Sequence, residues 1–112
     1  YERLGDVREK AVTQGKIAYT LSQQKDFDAA IRLYREEVLP TFKTLGVKRD
    51  VAMSLANLAH IFLARREGRD VRRAEELFNE ALPLAEEMKI PEAEEFRKML
   101  KDCERLRKQK RR

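Results

Sequence analysis

The opening nine residues, Tyr1-Glu2-Arg3-Leu4-Gly5-Asp6-Val7-Arg8-Glu9, return as Phe42-Lys43-Thr44-Leu45-Gly46-Val47-Lys48-Arg49-Asp50, a spacing of 41. At that spacing Ala11 also meets Ala52, Thr13 meets Ser54, Ile17 meets Leu58 and Ala18 meets Ala59. Ala30-Ile31-Arg32-Leu33-Tyr34 then matches Ala74-Glu75-Glu76-Leu77-Phe78 at 44, and Glu37-Val38-Leu39-Pro40 matches Glu80-Ala81-Leu82-Pro83 at 43. The three extra residues fall in the 65–70 region, where a turn is expected. A period in this range is the mark of stacked supersecondary units, each burying its apolar face only against its neighbours.

Apolar residues within each unit recur every three or four positions, the spacing of one helical face, not of a strand. Gln14, Ile17, Ala18 and Leu21 form one stripe; Phe27, Ala30, Ile31, Tyr34 and Val38 form the next. The second unit gives Val51, Leu55, Leu58, Ala59 and Phe62, then Val71, Ala74, Phe78, Ala81, Ala85 and Met88. A fifth helix carries Ala93, Phe96, Leu100 and Cys103, with Met99 and Leu106 alongside. Asp26 and Asp70 stand where a side-chain oxygen caps a helix start. Gly5 and Gly46 stand where a left-handed residue closes a helix, and Pro91 suits the first turn of the last one. Pro40 and Pro83 fall late in their helices, and a kink or break is expected at each. Five helices of this kind predict an all-α chain, an α-solenoid of stacked antiparallel hairpins.

Ile17-Ala18-x-x-Leu21 followed by Asp26-Phe27-Asp28-Ala29-Ala30-Ile31-x-x-Tyr34 resembles the tetratricopeptide repeat, a helix–turn–helix unit. Leu58-Ala59-x-x-Phe62, then Ala74-x-x-x-Phe78-x-x-Ala81, resembles a second copy, so the likeness covers residues 6–88. The repeat usually runs about 34 residues; the longer period here matches longer-helix variants. Gln14 and Leu55 stand where an early aromatic is usual, and Lys25 replaces the turn glycine of the first copy, while Gly68 lies in the second copy's insertion. The resemblance divides the chain into the end of a preceding repeat at 1–5, repeats at 6–46 and 47–90, a capping helix at 91–104 and a basic tail at 105–112. It also implies the C-terminal end of a longer array.

The family's architecture implies that the first helix of each repeat lines a concave groove. Candidates are Val12, Gly15, Tyr19, Ser22 and Gln23 in copy one, and Met53, Ala56, His60, Leu63 and Ala64 in copy two. Lys16 and Asn57 are their neighbours at equivalent positions, and Asn57 is suited to holding an extended peptide backbone. The resulting partner-binding set is Lys16, Tyr19, Gln23, Met53, Asn57 and His60, with Tyr19 and Met53 left open between groove and core. Some family members clamp a terminal carboxylate with Lys and Asn; Tyr19 replaces the asparagine this needs, so no such clamp is expected.

Catalysis is not expected. The chain has one His, one Cys and two Ser, without a Gly-rich phosphate loop, a Cys-x-x-Cys pair or a His-Glu-x-x-His helix. Cys103 shares the stripe of Phe96 and Leu100 and reads as a small buried hydrophobe. His60 has no second metal ligand at helical spacing, so neither metal nor cofactor is called for. The pairs Glu36-Glu37, Glu75-Glu76, Glu86-Glu87 and Glu94-Glu95 do not face one another on a helix and read as solvated faces.

The net charge of +5 is unevenly spread. Residues 1–44 hold 8 basic and 7 acidic side chains, residues 45–88 hold 7 and 8, and residues 89–112 hold 10 and 5. Six of the basic groups, Arg105, Arg107, Lys108, Lys110, Arg111 and Arg112, fall in the last eight residues. They define the alternative reading, a nucleic-acid-associated domain contacting phosphates through its tail. The absence of an interleaved aromatic counts against single-strand binding, and cations at a helix C-terminus have the simpler role of offsetting its dipole. No apolar run reaches the roughly 18 residues of a membrane span, and a single cysteine makes no internal disulfide. The leading expectation is therefore a cytoplasmic, non-enzymatic scaffold that docks a partner protein, or an upstream domain of its own chain. Self-association through an open N-terminal face formed by Tyr1, Val7 and Ala11 is a further expectation.

Overall fold

A computed structural model of the chain describes residues 3–109. Every regular element among them is helical: α1 (Leu4–Gln23), α2 (Phe27–Leu33), α3 (Leu39–Leu45), α4 (Lys48–Arg65), α5 (Asp70–Met88) and α6 (Glu92–Gln109). A π-helical turn, Tyr34–Val38, joins α2 to α3, so residues 27–45 form one continuous rod. Five helical rods result.

Ion pairs between the rods fix their directions. Arg65 at the end of α4 meets Asp28 at the start of α2. Lys48 at the start of α4 meets Glu87 at the end of α5, and Arg107 late in α6 meets Glu75 early in α5. From the 27–45 rod onward consecutive rods are therefore antiparallel, and each rod packs chiefly on its neighbours in sequence. The Cα trace measures 53 × 33 × 17 Å.

The apolar stripes meet in a single core. Phe62, Phe78, Phe96, Leu55, Leu58 and Val38 are its largest fully buried apolar side chains, each worth roughly 1.5–3 kcal/mol of transfer free energy. Phe78 lies at its centre, its ring centroid 6.0 Å from that of Phe96 and 5.3 Å from the His60 ring. Alanines at 18, 30, 59, 74 and 81 are all buried, and small residues at such contacts let helix axes approach closely. Cys103 is buried with them.

Helix ends follow the expected chemistry in part. Asp26 accepts from the Ala29 N–H at 3.4 Å and caps α2. Gly46 closes α3 at φ 72°, a left-handed conformation that costs glycine nothing. Lys25 adopts φ 66° at the first turn, where the resembling family carries glycine. Pro91 immediately precedes α6, its carbonyl accepting from the Glu94 N–H at 3.1 Å.

Other expectations are corrected. Gly5 ends no helix; it lies in the first turn of α1, which already includes Leu4. Tyr1 lies outside the described residues. Asp70 does not cap α5 but is its first residue, buried and turned back to other partners. Pro83 produces no break, because α5 runs through it uninterrupted. The last helix passes 104 and continues to Gln109, so the tail begins inside it. Ile17 is 49% exposed while Ala11 is buried, which reverses their expected places. The physical reason is that α1 packs chiefly on the 27–45 rod, and one neighbour covers only a narrow stripe. Ala11 and Ala18 lie on that stripe, and Ala11 cannot serve an exposed N-terminal face.

Candidate functional site

α1 and α4 do not pack against each other along their lengths; the 27–45 rod lies beneath both. Between them is a groove of about 880 Å³. Its walls carry all six residues of the expected set: Lys16, Tyr19 and Gln23 from α1, and Met53, Asn57 and His60 from α4. Val12, Gly15, Ser22 and Ala64 line it as well. Ala56 and Leu63 do not, being 2% and 8% exposed within the core. α4 is flanked by the rod on one side and α5 on the other, which leaves the stripe 53, 57, 60, 64 facing the groove, with Asp50, Ser54 and Ile61 lining it too.

The floor comes from residues that groove periodicity did not reveal. Tyr34, Val38 and Phe42 rise from the rod, with Ala11 beside them. Tyr34 is buried, and its hydroxyl spans both walls: it accepts from Asn57 Nδ2 at 3.3 Å and reaches the Gly15 carbonyl at 3.5 Å. Burial pushes the Tyr34 hydroxyl above its ordinary pKa, and the Asn57 hydrogen bond partly offsets this. The π turn places Tyr34, and such turns recur at functional positions. The available signal was the matching of Tyr34 with Phe78 across the repeat, which marks a core aromatic and not a floor.

Tyr19 is 62% exposed, so its ring belongs to the groove and not to the core. Met53 is half-buried and packs against the core from the wall. With one N–H engaged by Tyr34, the Asn57 amide keeps its carbonyl oxygen and second N–H for a ligand. The His60 ring packs edge-on to Phe78, and its burial there lowers its pKa against the opposing pull of Glu95. The groove acid Asp50 is held by two hydrogen bonds from Arg8, at 2.7 and 3.1 Å. Lys16 and Lys25 pair with no carboxylate among the described residues. The unspent charge of the groove is thus positive.

The basic C-terminal end is differently placed. Arg107 donates to both Glu75 oxygens at 3.0 and 3.1 Å. Arg105 reaches Asp102 at 2.5 Å and Lys108 reaches Glu104 at 3.0 Å. These three are neutralised by neighbouring carboxylates. Lys110, Arg111 and Arg112 lie outside the described residues. Burial, with nearby Glu75 and Asp102, pushes the Cys103 thiol up to about 11, which leaves little thiolate for nucleophilic chemistry. Among the described residues no three His, Cys, Asp or Glu side chains converge as a metal site, and no helix is long and apolar enough to cross a membrane.

Comparison with protein-family models, with curated proteins and with solved structures finds no match.

Proposed function

We propose that the chain is a tetratricopeptide-like scaffold module, a short solenoid of two long hairpins and a capping helix, that holds a segment of a partner protein in the α1–α4 groove. The observation that carries this reading is the groove itself. An aromatic and aliphatic floor, an exposed Tyr19 and uncommitted hydrogen-bonding groups at Gln23 and Asn57 are the features that bind a peptide. Lys16 and Lys25 favour a segment bearing carboxylates. A non-enzymatic role fits the buried, protonated thiol, and the reading includes a cytoplasmic location.

The test is a pull-down from nuclease-treated native lysate with the wild-type chain, a Tyr19→Ala/Asn57→Ala/His60→Ala variant and an Arg105→Ala/Lys108→Ala variant. The expected result is a protein retained by the wild type and the tail variant and lost with the groove variant. Retention by all three sinks the groove assignment. Loss with the tail variant, or recovery of the partner only when the nuclease is left out of a parallel pull-down, moves the nucleic-acid reading to first place.

A further inference from the structure

A second concavity of about 500 Å³ shares no lining residue with the groove. Four guanidinium groups line it: Arg32 and Arg35 from the rod, Arg65 from the end of α4 and Arg73 from α5. Three of them surround one ring, with the Cζ atoms of Arg35, Arg65 and Arg73 at 5.3, 5.7 and 5.9 Å from the Phe62 centroid. The adjoining α4–α5 turn carries Arg66 and Arg69, and Arg72 follows in the first turn of α5.

Cations this close repel one another unless counter-charges intervene. The protein supplies those counter-charges incompletely. Asp70 takes both Nε and Nη2 of Arg65 at 2.8 Å and one nitrogen of Arg73 at 3.1 Å. Asp28 takes the remaining edge of Arg65 at 2.8 Å. Glu36 comes no nearer to Arg32 than 3.9 Å. Arg35 pairs with no carboxylate among the described residues, and its guanidinium rests on the Phe62 face. Arg35 and Arg73 therefore bring open donors from two helices to a space where Arg65 is fixed by the acid beneath.

We propose that this pocket is a phosphate-recognition site that receives a phosphorylated side chain of a protein partner. A phosphomonoester carries nearly two charges and three acceptor oxygens, enough to bridge two forks at once; a carboxylate fills one. The surroundings select a single group over a nucleic-acid strand. Phe62 is buried and offers no face for base stacking. Asp28 and Glu36, both well exposed at the rim, repel a continuous phosphate backbone.

The site is tested by NMR, following arginine Nε–H resonances while inorganic phosphate, phosphoserine or a short DNA duplex is added. Phosphoserine should shift Arg35 and Arg73 saturably and bind at least as tightly as inorganic phosphate. Binding should weaken below about pH 6, where the phosphate takes up its second proton. Arg35→Gln and Arg73→Gln should each cost about tenfold in affinity, Arg35→Lys should cost less because charge survives without the fork, and Arg105→Gln should cost nothing. Unmoved Arg35 and Arg73 resonances, or an Arg35→Lys variant indistinguishable from wild type, overturn the proposal. So does tighter binding of inorganic phosphate than of phosphoserine, or displacement of phosphoserine by the duplex. The groove variant leaves these resonances untouched, so the two sites fail or succeed separately.

Discussion

Asp70 is the only charged side chain buried among the described residues. Arg65 is the chief cause of its low pKa, which lies at about 2 against an ordinary 3.8; the Glu67 N–H and Arg73 add to the shift and burial opposes it. The unfolded chain therefore binds more protons below pH 4, and the stability this carboxylate contributes is lost as pH falls from about 4 toward 2. The shift corresponds to about 2 kcal/mol. Replacing Asp70 with Asn at pH 7 leaves Arg65 without its main counter-charge, and breaking a buried pair this way costs roughly 3 kcal/mol. Urea titrations at pH 7 and pH 2.5 should show Asp70→Asn much weaker at the first and most of that gap closed at the second. An unchanged midpoint at pH 7 would sink this account. The sequence places an acid just before a helical stripe, and by local rules that is a cap. What local rules do not contain is Arg65, five residues back, returning across the turn to take both carboxylate oxygens.

Burial spacing, more than proline, shapes the elements. In the 27–45 rod the buried positions are Ala30, Ile31, Tyr34, Val38 and Phe42, and each of the two successive steps of four, Tyr34 to Val38 and Val38 to Phe42, overshoots a 3.6-residue turn by about 40°. The π turn spans the first of these steps and takes up part of that overshoot. In α5 the steps alternate between three and four, from Val71 through Ala74, Phe78 and Ala81 to Ala85, and the helix stays regular despite Pro83. Pro40 falls in the first turn of α3, where the hydrogen-bond register restarts, so its missing donor costs little. Pro83 removes an interior bond. Pro83→Ala should therefore stabilise the chain by roughly 1–3 kcal/mol in urea unfolding, and Pro40→Ala by distinctly less. Equal gains would mean that proline, not core phase, makes the π turn. The α5 stripe could be read from sequence because its two neighbours bury it deeply. The α1 stripe was misread because Ile17 satisfies the same spacing on a side that no neighbour covers.

At the scale of the whole molecule, the two walls of the groove are unequally held. α4 contributes nine buried residues, from Ala52 to Leu63, while α1 buries Ala11 and Ala18 fully. Each buried carbon is worth about 0.8 kcal/mol, so alanine methyls anchor α1 weakly beside the Phe62 and Leu55 that anchor α4. Val12 and Leu21 add only partly buried side chains, and the polar ties are the Arg8–Asp50 pair, in which Arg8 is about half exposed, and the long contact from Tyr34 to the Gly15 carbonyl. The positions of the wall residues could be read from the repeat alone, because helical spacing fixes which side chains share a face. The inequality could not, because it depends on how many neighbours each helix acquires. It predicts that α1 opens before the molecule unfolds. Native-state hydrogen exchange should find α1 amides exchanging through an opening about 2 kcal/mol below the global one that governs α4 and α5. A segment bound in the groove touches both walls, so it should raise protection in α1 more than in α5. Equal protection of α1 and α4 in the free chain would show that the groove is rigid. In that case a partner would have to fit the walls as they stand, with no hinged wall to close over it.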